Sequence, residues 1–252
     1  DNWRSSHAYP LNTFQVTLRN RARSNPGRGL VAQRIKRLST IRSKLGFLPW
    51  LRLSKMQDIG GCRVVLDSVK HVDRFVKKYT DGNSVHELER IDDYIRSPKK
   101  SGYRSVHLIF RHRSASRPEY NGLRIEIQLR TILQHAWATA VETVGTFISQ
   151  PLKSSRGEKE WLEFFRLIGS ALAHMEGTNS VPNTPDDLAK LTRAIGEKSR
   201  ALRVVDLLES FVVALQPLPT STRHAHYYLM RLDAAARSVQ VTPYRRGEVD
   251  TA

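Results

Sequence analysis

The stretch LRIEIQLRT, Leu123 to Thr131, alternates strictly. Leu123, Ile125, Ile127 and Leu129 fall on one side of an extended strand, and Arg124, Glu126, Gln128 and Arg130 on the other. The apolar side predicts a face turned to a core. The polar side is not the Thr, Ser and Lys of an ordinary solvated sheet. An acid, an amide and two guanidiniums in one row can hold a metal ion and phosphates together.

Two other segments share this character. MQDIGGCRVVL, Met56 to Leu66, sets Asp58 and a Gly60-Gly61 pair before a short apolar run that contains Arg63. DYIRSPKKSGYRSVHLIF, Asp93 to Phe110, has a turn built on Ser97-Pro98 and Ser101-Gly102, then a strand that begins near Tyr103 and carries His107. Asp58 and Glu126, on two strands, can share one divalent cation. Mg²⁺ takes one or two carboxylates and completes its octahedron with water and substrate phosphate oxygens, so such a site predicts a phosphorylated ligand. Arg63, Lys99, Lys100, Arg104 and Arg130 suit that ligand's charge. Taken singly, each of these residues also suits a surface salt bridge or a sheet face, which are the commoner uses.

The order DIGGCRV, then DDYIRSPKKSGYRSVH, then IEIQLRT followed by a helix with His135 and Trp137, resembles the synthetase domain of the RelA/SpoT family of alarmone pyrophosphokinases, from about Arg34 to Glu142. The resemblance implies an α+β fold, a mixed five-stranded sheet flanked by helices with a nucleotidyltransferase-like core and a C-terminal helical extension. It implies transfer of the β,γ-pyrophosphate of ATP to the 3′-hydroxyl of GDP or GTP, with release of AMP. Asp58 and Glu126 become the catalytic pair and the Mg²⁺ ligands, and Glu126 also the base that orients or deprotonates the 3′-hydroxyl. Arg34, Lys36, Lys44 and Arg63 would hold the ATP phosphates. Tyr103 would stack on the acceptor base, with Lys99, His107, Gln128 and Arg130 lining the acceptor side. Ser39, Arg104 and His135 are further cleft candidates, and His135 reads equally well as a plain polar-face histidine. The chain departs from the family in Asp92-Asp93, where many members have Lys-Asp, and in Val141, where a glutamate is expected and Glu142 follows instead. Both departures bear on the acceptor.

Composition sets bounds. The net charge is +17, from 41 Lys and Arg against 24 Asp and Glu, which exceeds the needs of a nucleotide site. Clusters such as Arg19 to Arg23, Arg34 to Lys44 and Arg111-His112-Arg113 are read either as a track for a polyanion or as generic solvated arginine. This leaves a second function in view, a toxic relative that pyrophosphorylates the 3′ end of tRNA. A third, a non-catalytic nucleotide- or RNA-binding module, is disfavoured because Asp58, Tyr103 and Glu126 are all present. No His-Asp dipeptide occurs, so hydrolase chemistry of the family is not expected. One cysteine, Cys62, argues against disulfides and a cysteine-rich zinc site. No apolar run approaches the roughly 18 residues of a membrane span, and the cytoplasm is the expected compartment. A homo-oligomer, or a regulatory or antitoxin partner, is compatible with the chain. The first residues, Asp1-Asn2-Trp3-Arg4, read as a trimmed terminus.

Along the chain, periodicity predicts helices over Leu11 to Asn20, Val31 to Leu45 and Val69 to Tyr79. Strands are predicted over Cys62 to Leu66, Val85 to Ile91, Ser105 to Arg111 and Leu123 to Arg130, with a hairpin loop at Ser114 to Gly122. Helices follow from Ile132, then over Glu158 to Met175 and Pro185 to Val213, before a breaker at Pro217-Leu218-Pro219-Thr220. The expected division is a core over 1–150, C-terminal helices over 151–216 that pack on the core or mediate oligomers, and a tail over 217–252 that starts a second module.

Overall fold

The computed structural model describes residues 2–24, 29–82, 84–148, 152, 157–215, 227–233 and 238–244. Contacts divide the chain into two compact units, Asp1–Thr192 and Arg193–Ala252.

In the first unit a mixed five-stranded sheet has the order β1-β2-β5-β4-β3. Its strands are β1 (Leu30–Ile35), β2 (Gly60–Leu66), β3 (Glu87–Asp93), β4 (Val106–Arg111) and β5 (Arg124–Thr131). β2 and β5 run parallel at the centre, and every other pairing is antiparallel. One face is apolar. Val64 and Leu66 of β2, Leu108 and Phe110 of β4, and Ile125 and Ile127 of β5 are fully buried there. Helix α2 (Ala8–Arg23), which follows the single turn α1 (Asn2–Ser5), contributes Leu11, Phe14 and Leu18. Helix α4 (Val69–Thr80) contributes Val72, Phe75 and Tyr79, and Ser68 caps its first turn by accepting from the His71 N–H. Burying side chains of this size stabilises the fold by about 2–3 kcal/mol each.

The strict alternation in β5 holds: its isoleucines enter this core while Arg124, Glu126 and Gln128 are half-buried on the opposite face. The expected helix from Val31 to Leu45 is corrected to β1 followed by α3 (Leu38–Phe47). The physical reason is period 2: Val31 and Ile35 pack against the core while Ala32 and Arg34 turn away, and β2 supplies the hydrogen-bond partners. Helix α5 (Ile132–Phe147) starts directly from β5 with a capping box. Thr131 accepts from the Gln134 N–H, and the Gln134 side chain accepts from the Thr131 N–H. Helix α6 (Lys159–Glu176) locks that start, since Glu176 bonds Thr131 Oγ1 and Gln134 Nε2. The expected single helix from Pro185 to Val213 is two, α7 (Leu188–Ala201) and α8 (Val204–Leu215), separated where Arg203 takes φ +51°.

The second unit contains α8 and an antiparallel hairpin of β6 (Tyr227–Asp233) and β7 (Ser238–Tyr244). The predicted breaker at 217–220 lies outside the described residues. Among the described residues no helix is long and apolar enough to cross a membrane.

A histidine cluster gives the fold a pH dependence. His86 stacks on His112 at 4.9 Å and lies 4.3 Å from the Phe14 ring. Burial, then the charge of His112, push His86 down to about 4, and burial also lowers His7 and His112. The unfolded chain therefore takes up protons first as pH falls below the ordinary histidine value of about 6.5. Stability contributed by the neutral rings is complete above that value and declines as pH falls towards 4, by at most about 1.4 kcal/mol per pH unit per ring. Urea midpoints are expected to drop between pH 7.5 and 5, and to drop less in His86→Phe. Equal slopes for the two proteins would contradict the assignment.

Candidate active site

The polar face of the sheet gathers side chains from all five strands in two adjacent rows. Register places Arg34 of β1 opposite Gly61 of β2, Gly61 beside Glu126 of β5, and Arg63 beside Gln128. His107 of β4 lies beside Gln128, and Asp92 of β3 beside His107. Gly61 leaves the floor next to Glu126 bare. A Cβ built there would meet only the Glu126 carbonyl at 3.9 Å.

At one end of this face, Asp58 precedes β2 and is held by two lysines. Lys36 Nζ lies 2.8 Å from Oδ2, and Lys44 Nζ, from α3, lies 3.1 Å from Oδ1. Burial works to raise the Asp58 carboxyl, but the hydrogen bonds and charges of Lys36 and Lys44 outweigh it and hold the group below the ordinary value. At the centre, Glu126 accepts from Gln128 Nε2 at 2.8 Å and pairs with His107 Nδ1 at 2.9 Å. Burial again acts upward and is overcome, chiefly by His107, so the carboxyl lies below its ordinary value. Asp58 opposes that effect with its own charge, so the two carboxylates sense one another.

Beyond them lies an aromatic shelf. Tyr103 Oη is 2.7 Å from His107 Nε2 and accepts from Arg130 Nη2 at 2.7 Å. Its ring meets Tyr94 at 6.0 Å and Trp137 at 6.2 Å. Lys99 Nζ stands 4.2 Å over Tyr94 and 5.4 Å from Tyr103. Ser101, Tyr103, Trp137, Ala138, Val141 and Phe165 help to line a small cavity of about 30 Å³ at this end. Val141, noted as a departure in sequence, is thus part of an apolar wall.

Two glycines set the shelf. The turn before Tyr103 presses Gly102, at φ +92°, against α6. A Cβ on Gly169 would stand 2.7 Å from Gly102 Cα, and one on Gly102 would stand 2.8 Å from the Phe165 carbonyl. Gly169→Ala is expected to cost about 1–3 kcal/mol through overpacking and to displace Tyr103. Gly46→Ala in α3, where a Cβ meets nothing within 4 Å, is the control and is expected to be neutral or stabilising by up to about 1 kcal/mol. Denaturant midpoints check this, and equal shifts for the two variants would contradict it.

Most sequence-predicted site residues converge. Asp58, Lys36 and Lys44 form one cluster. Glu126, Gln128, His107, Tyr103, Arg130 and Lys99 form another, with Arg34 and Arg63 on the same face. Burial first, then the charges of Arg130 and Arg34, lower the Arg63 guanidinium from its ordinary value, which places these three cations near each other. His135 belongs to the cleft side: burial and the charges of Arg63 and Arg130 lower it.

Arg104 is a correction. It is 2% exposed and donates to the carbonyls of Ile95 and Asn179 and to Thr178, so it ties the turn after Tyr94 to the end of α6 and offers nothing to the cleft. Its neighbour in sequence, Tyr103, takes the cleft side because extended backbone sends successive side chains to opposite faces. Ser39 is exposed at the start of α3, and among the described residues no hydrogen bond links its side chain to the Asp58 cluster. Arg130 is buried, at 2% exposure, behind Tyr103 rather than open to the cleft.

The acidic pair also resolves. Asp93 is consumed by its turn, accepting from the N–H groups of Ile95 and Arg96 and pairing with the Arg96 guanidinium at 2.6 Å. Only Asp92 shares the cleft face, and Arg90 holds it at 2.7 Å. Tyr94 was missed in the sequence reading. Its place in the shelf follows from a chain reversal, closed by the Tyr94 N–H to Ser105 carbonyl bond at 2.9 Å.

Solved structures share this architecture. Small alarmone synthetase 2 from Bacillus subtilis superposes with a TM-score of 0.58 at 21% identity, over 70% of this chain and 93% of that one. A GTP pyrophosphokinase family protein from Streptococcus pneumoniae gives 0.56 at 22%, over 68% and 85%. The fold is that of the small alarmone synthetases. Residues 33–144 match the model described as the region found in RelA / SpoT proteins, and the chain carries that region. Among curated relatives, GTP pyrophosphokinase YjbM of Bacillus subtilis is 30% identical over 111 residues, 43% of this chain and 52% of that protein. The uncharacterized protein Rv1366 of Mycobacterium tuberculosis is 33% identical over 119 residues, 45% of this chain and 38% of that protein. The chain thus spans between about two fifths and half the length of these relatives.

Proposed function

We propose that this chain is a pyrophosphokinase that moves the β,γ-pyrophosphate of ATP to the 3′-hydroxyl of a guanine nucleotide. The observation that carries the reading is Glu126, a carboxylate 13% exposed and held ionised by His107 and Gln128, set between an aromatic shelf and a clasp of lysines. The acceptor oxygen attacks the β-phosphorus, the bridge between the α- and β-phosphates breaks, AMP leaves, and the hydroxyl proton passes to Glu126. Such transfer asks a protein to position reactants and neutralise charge. Lys36, Lys44, Arg34 and Arg63 supply cations for the triphosphate, and Tyr103 a flat surface for the acceptor base.

The donor set fits magnesium. Two carboxylates held ionised, Asp58 and Glu126, the latter beside the bare Gly61, suit an ion that takes the rest of its ligands from phosphate and water. Bound there, the ion would draw charge from the phosphates. A curated relative named GTP pyrophosphokinase, and a structural neighbour described as bound to its product pppGpp, support the guanine acceptor.

The test offers γ-labelled ATP and Mg²⁺ with GDP, GTP and bulk tRNA in parallel. Label on GDP or GTP is expected. Label on tRNA alone would replace this acceptor with the 3′ end of tRNA, and no transfer to any acceptor would overturn the enzymatic reading.

A further inference from the structure

The side chains around Glu126 close into a ring. Arg130 Nη2 donates in two directions, to Tyr103 Oη at 2.7 Å and to Gln128 Oε1 at 3.0 Å. Gln128 Nε2 continues one branch to Glu126 Oε2 at 2.8 Å. The other branch runs from Tyr103 Oη to His107 Nε2 at 2.7 Å and from His107 Nδ1 to Glu126 Oε1 at 2.9 Å. With His107 as the Nδ1–H tautomer, donors and acceptors match in one continuous sense: the guanidinium only donates, Tyr103 accepts and passes its own proton toward His107 Nε2, and the imidazole N–H and the amide N–H both end on the carboxylate.

Two features make this more than a packing detail. Among the described residues Arg130 has no ion pair, although it is 2% exposed. The ring therefore links this buried guanidinium to Glu126 by hydrogen bonds, each of which polarises the next. Each Glu126 oxygen spends one lone pair on the ring and keeps another, so the carboxylate is oriented without being used up. The ring also contains Tyr103, the residue whose aromatic face receives the acceptor.

We propose that Tyr103, through its hydroxyl and by way of His107, is a positioning residue for Glu126, so that the shelf for the acceptor base and the aim of the carboxylate form one hydrogen-bonded unit. This rests on the pyrophosphokinase reading above. A tyrosine that served only as a stacking surface would tolerate phenylalanine. The ring predicts that it does not, because Tyr103→Phe keeps the aromatic face and removes the atom that joins Arg130 to His107.

In steady-state assays with saturating ATP, Tyr103→Phe is expected to lower kcat by about ten- to a hundredfold, while KM for the acceptor changes by less than about threefold. Unchanged kcat, or a change confined to KM, would overturn the proposal. His107→Asn places an amide near the Nδ1 position and keeps a donor for Glu126, whereas His107→Gln reaches the Nε2 position and keeps only the Tyr103 contact. The Asn variant is expected to retain several-fold more kcat; equal or reversed values would overturn the assigned direction.

A further readout needs no turnover. Tyr103→Phe and Glu126→Gln alter groups with no hydrogen bond to each other among the described residues, yet their effects on melting temperature are expected to be non-additive. Additive shifts would overturn the ring even in an active enzyme. Failure of wild-type transfer together with non-additive shifts would instead overturn the pyrophosphokinase reading and leave the ring standing.

Discussion

Glu126→Gln is expected to reduce pyrophosphate transfer by about a thousandfold, in the middle of the range for a positioned general base, while ATP still binds. The substitution keeps the shape of the side chain and removes its charge. Three consequences follow from the surroundings of the carboxylate. The acceptor hydroxyl loses the oxygen that takes its proton. His107 and Gln128, which both donate to Glu126, now face an amide whose NH₂ must point at one of them. Asp58 loses the negative neighbour whose charge it senses, and the lysines that hold Asp58 are left in place. Affinity for ATP, measured by calorimetry, should therefore change by less than about fivefold, because the phosphate-binding cations belong to the other cluster. Glu126→Asp keeps the charge but withdraws it by one methylene, and is expected to fall between wild type and the Gln variant. Turnover by Glu126→Gln within tenfold of wild type would remove Glu126 from the chemistry and leave it as a ring member only.

Much of this arrangement was legible in the amino-acid order. The alternation of Leu123 to Thr131 predicted both the core face and the polar row, because a central strand flanked on each side has no freedom to change register without burying Arg124, Glu126 and Gln128. The hairpin between β4 and β5 followed from the same kind of pattern, whereas the five-stranded mixed sheet was implied by the family resemblance, since periodicity alone gave four strands. What could not be read were features fixed by tertiary neighbours. The strand β1 was read as the start of a helix over Val31 to Leu45, and only pairing with β2 decides for extension. Arg104 looked like a cleft cation because its type and place in the motif suit phosphate. Its role is set by carbonyls from Ile95 and Asn179, the latter far away in sequence. The same is true of Gly169, whose value lies in the 2.7 Å approach to Gly102. The hydrogen-bond ring was present as a list of residue types, and it needed coordinates to show that Arg130 stands behind Tyr103 rather than beside it.

Asp58→Ala is expected to abolish transfer and, in the absence of any ligand, to lower stability by about 2 kcal/mol. That figure lies between the small worth of exposed ion pairs and the larger loss when a buried pair is broken. Lys36 carries the argument: its side chain is 9% exposed, and Asp58, at 22%, is the carboxylate within 2.8 Å of it. Lys44, at 36% exposed, is freer to find water and should suffer less. The sign of the pH dependence follows from Asp58 being held below its ordinary value. Its stabilising contribution is present above the unfolded-chain value of about 3.9 and is lost as pH falls through the lower folded value, so near neutral pH the wild type has the full benefit and the variant none. The two lysines are then left as an unopposed pair of cations, which is what a polyphosphate needs. ATP without magnesium is therefore expected to raise the melting temperature of Asp58→Ala more than that of the wild type, because in the wild type the phosphates must first displace a carboxylate. A larger shift for the wild type in metal-free ATP would show that Lys36 and Lys44 do not receive the phosphates, and that the clasp on Asp58 is purely structural.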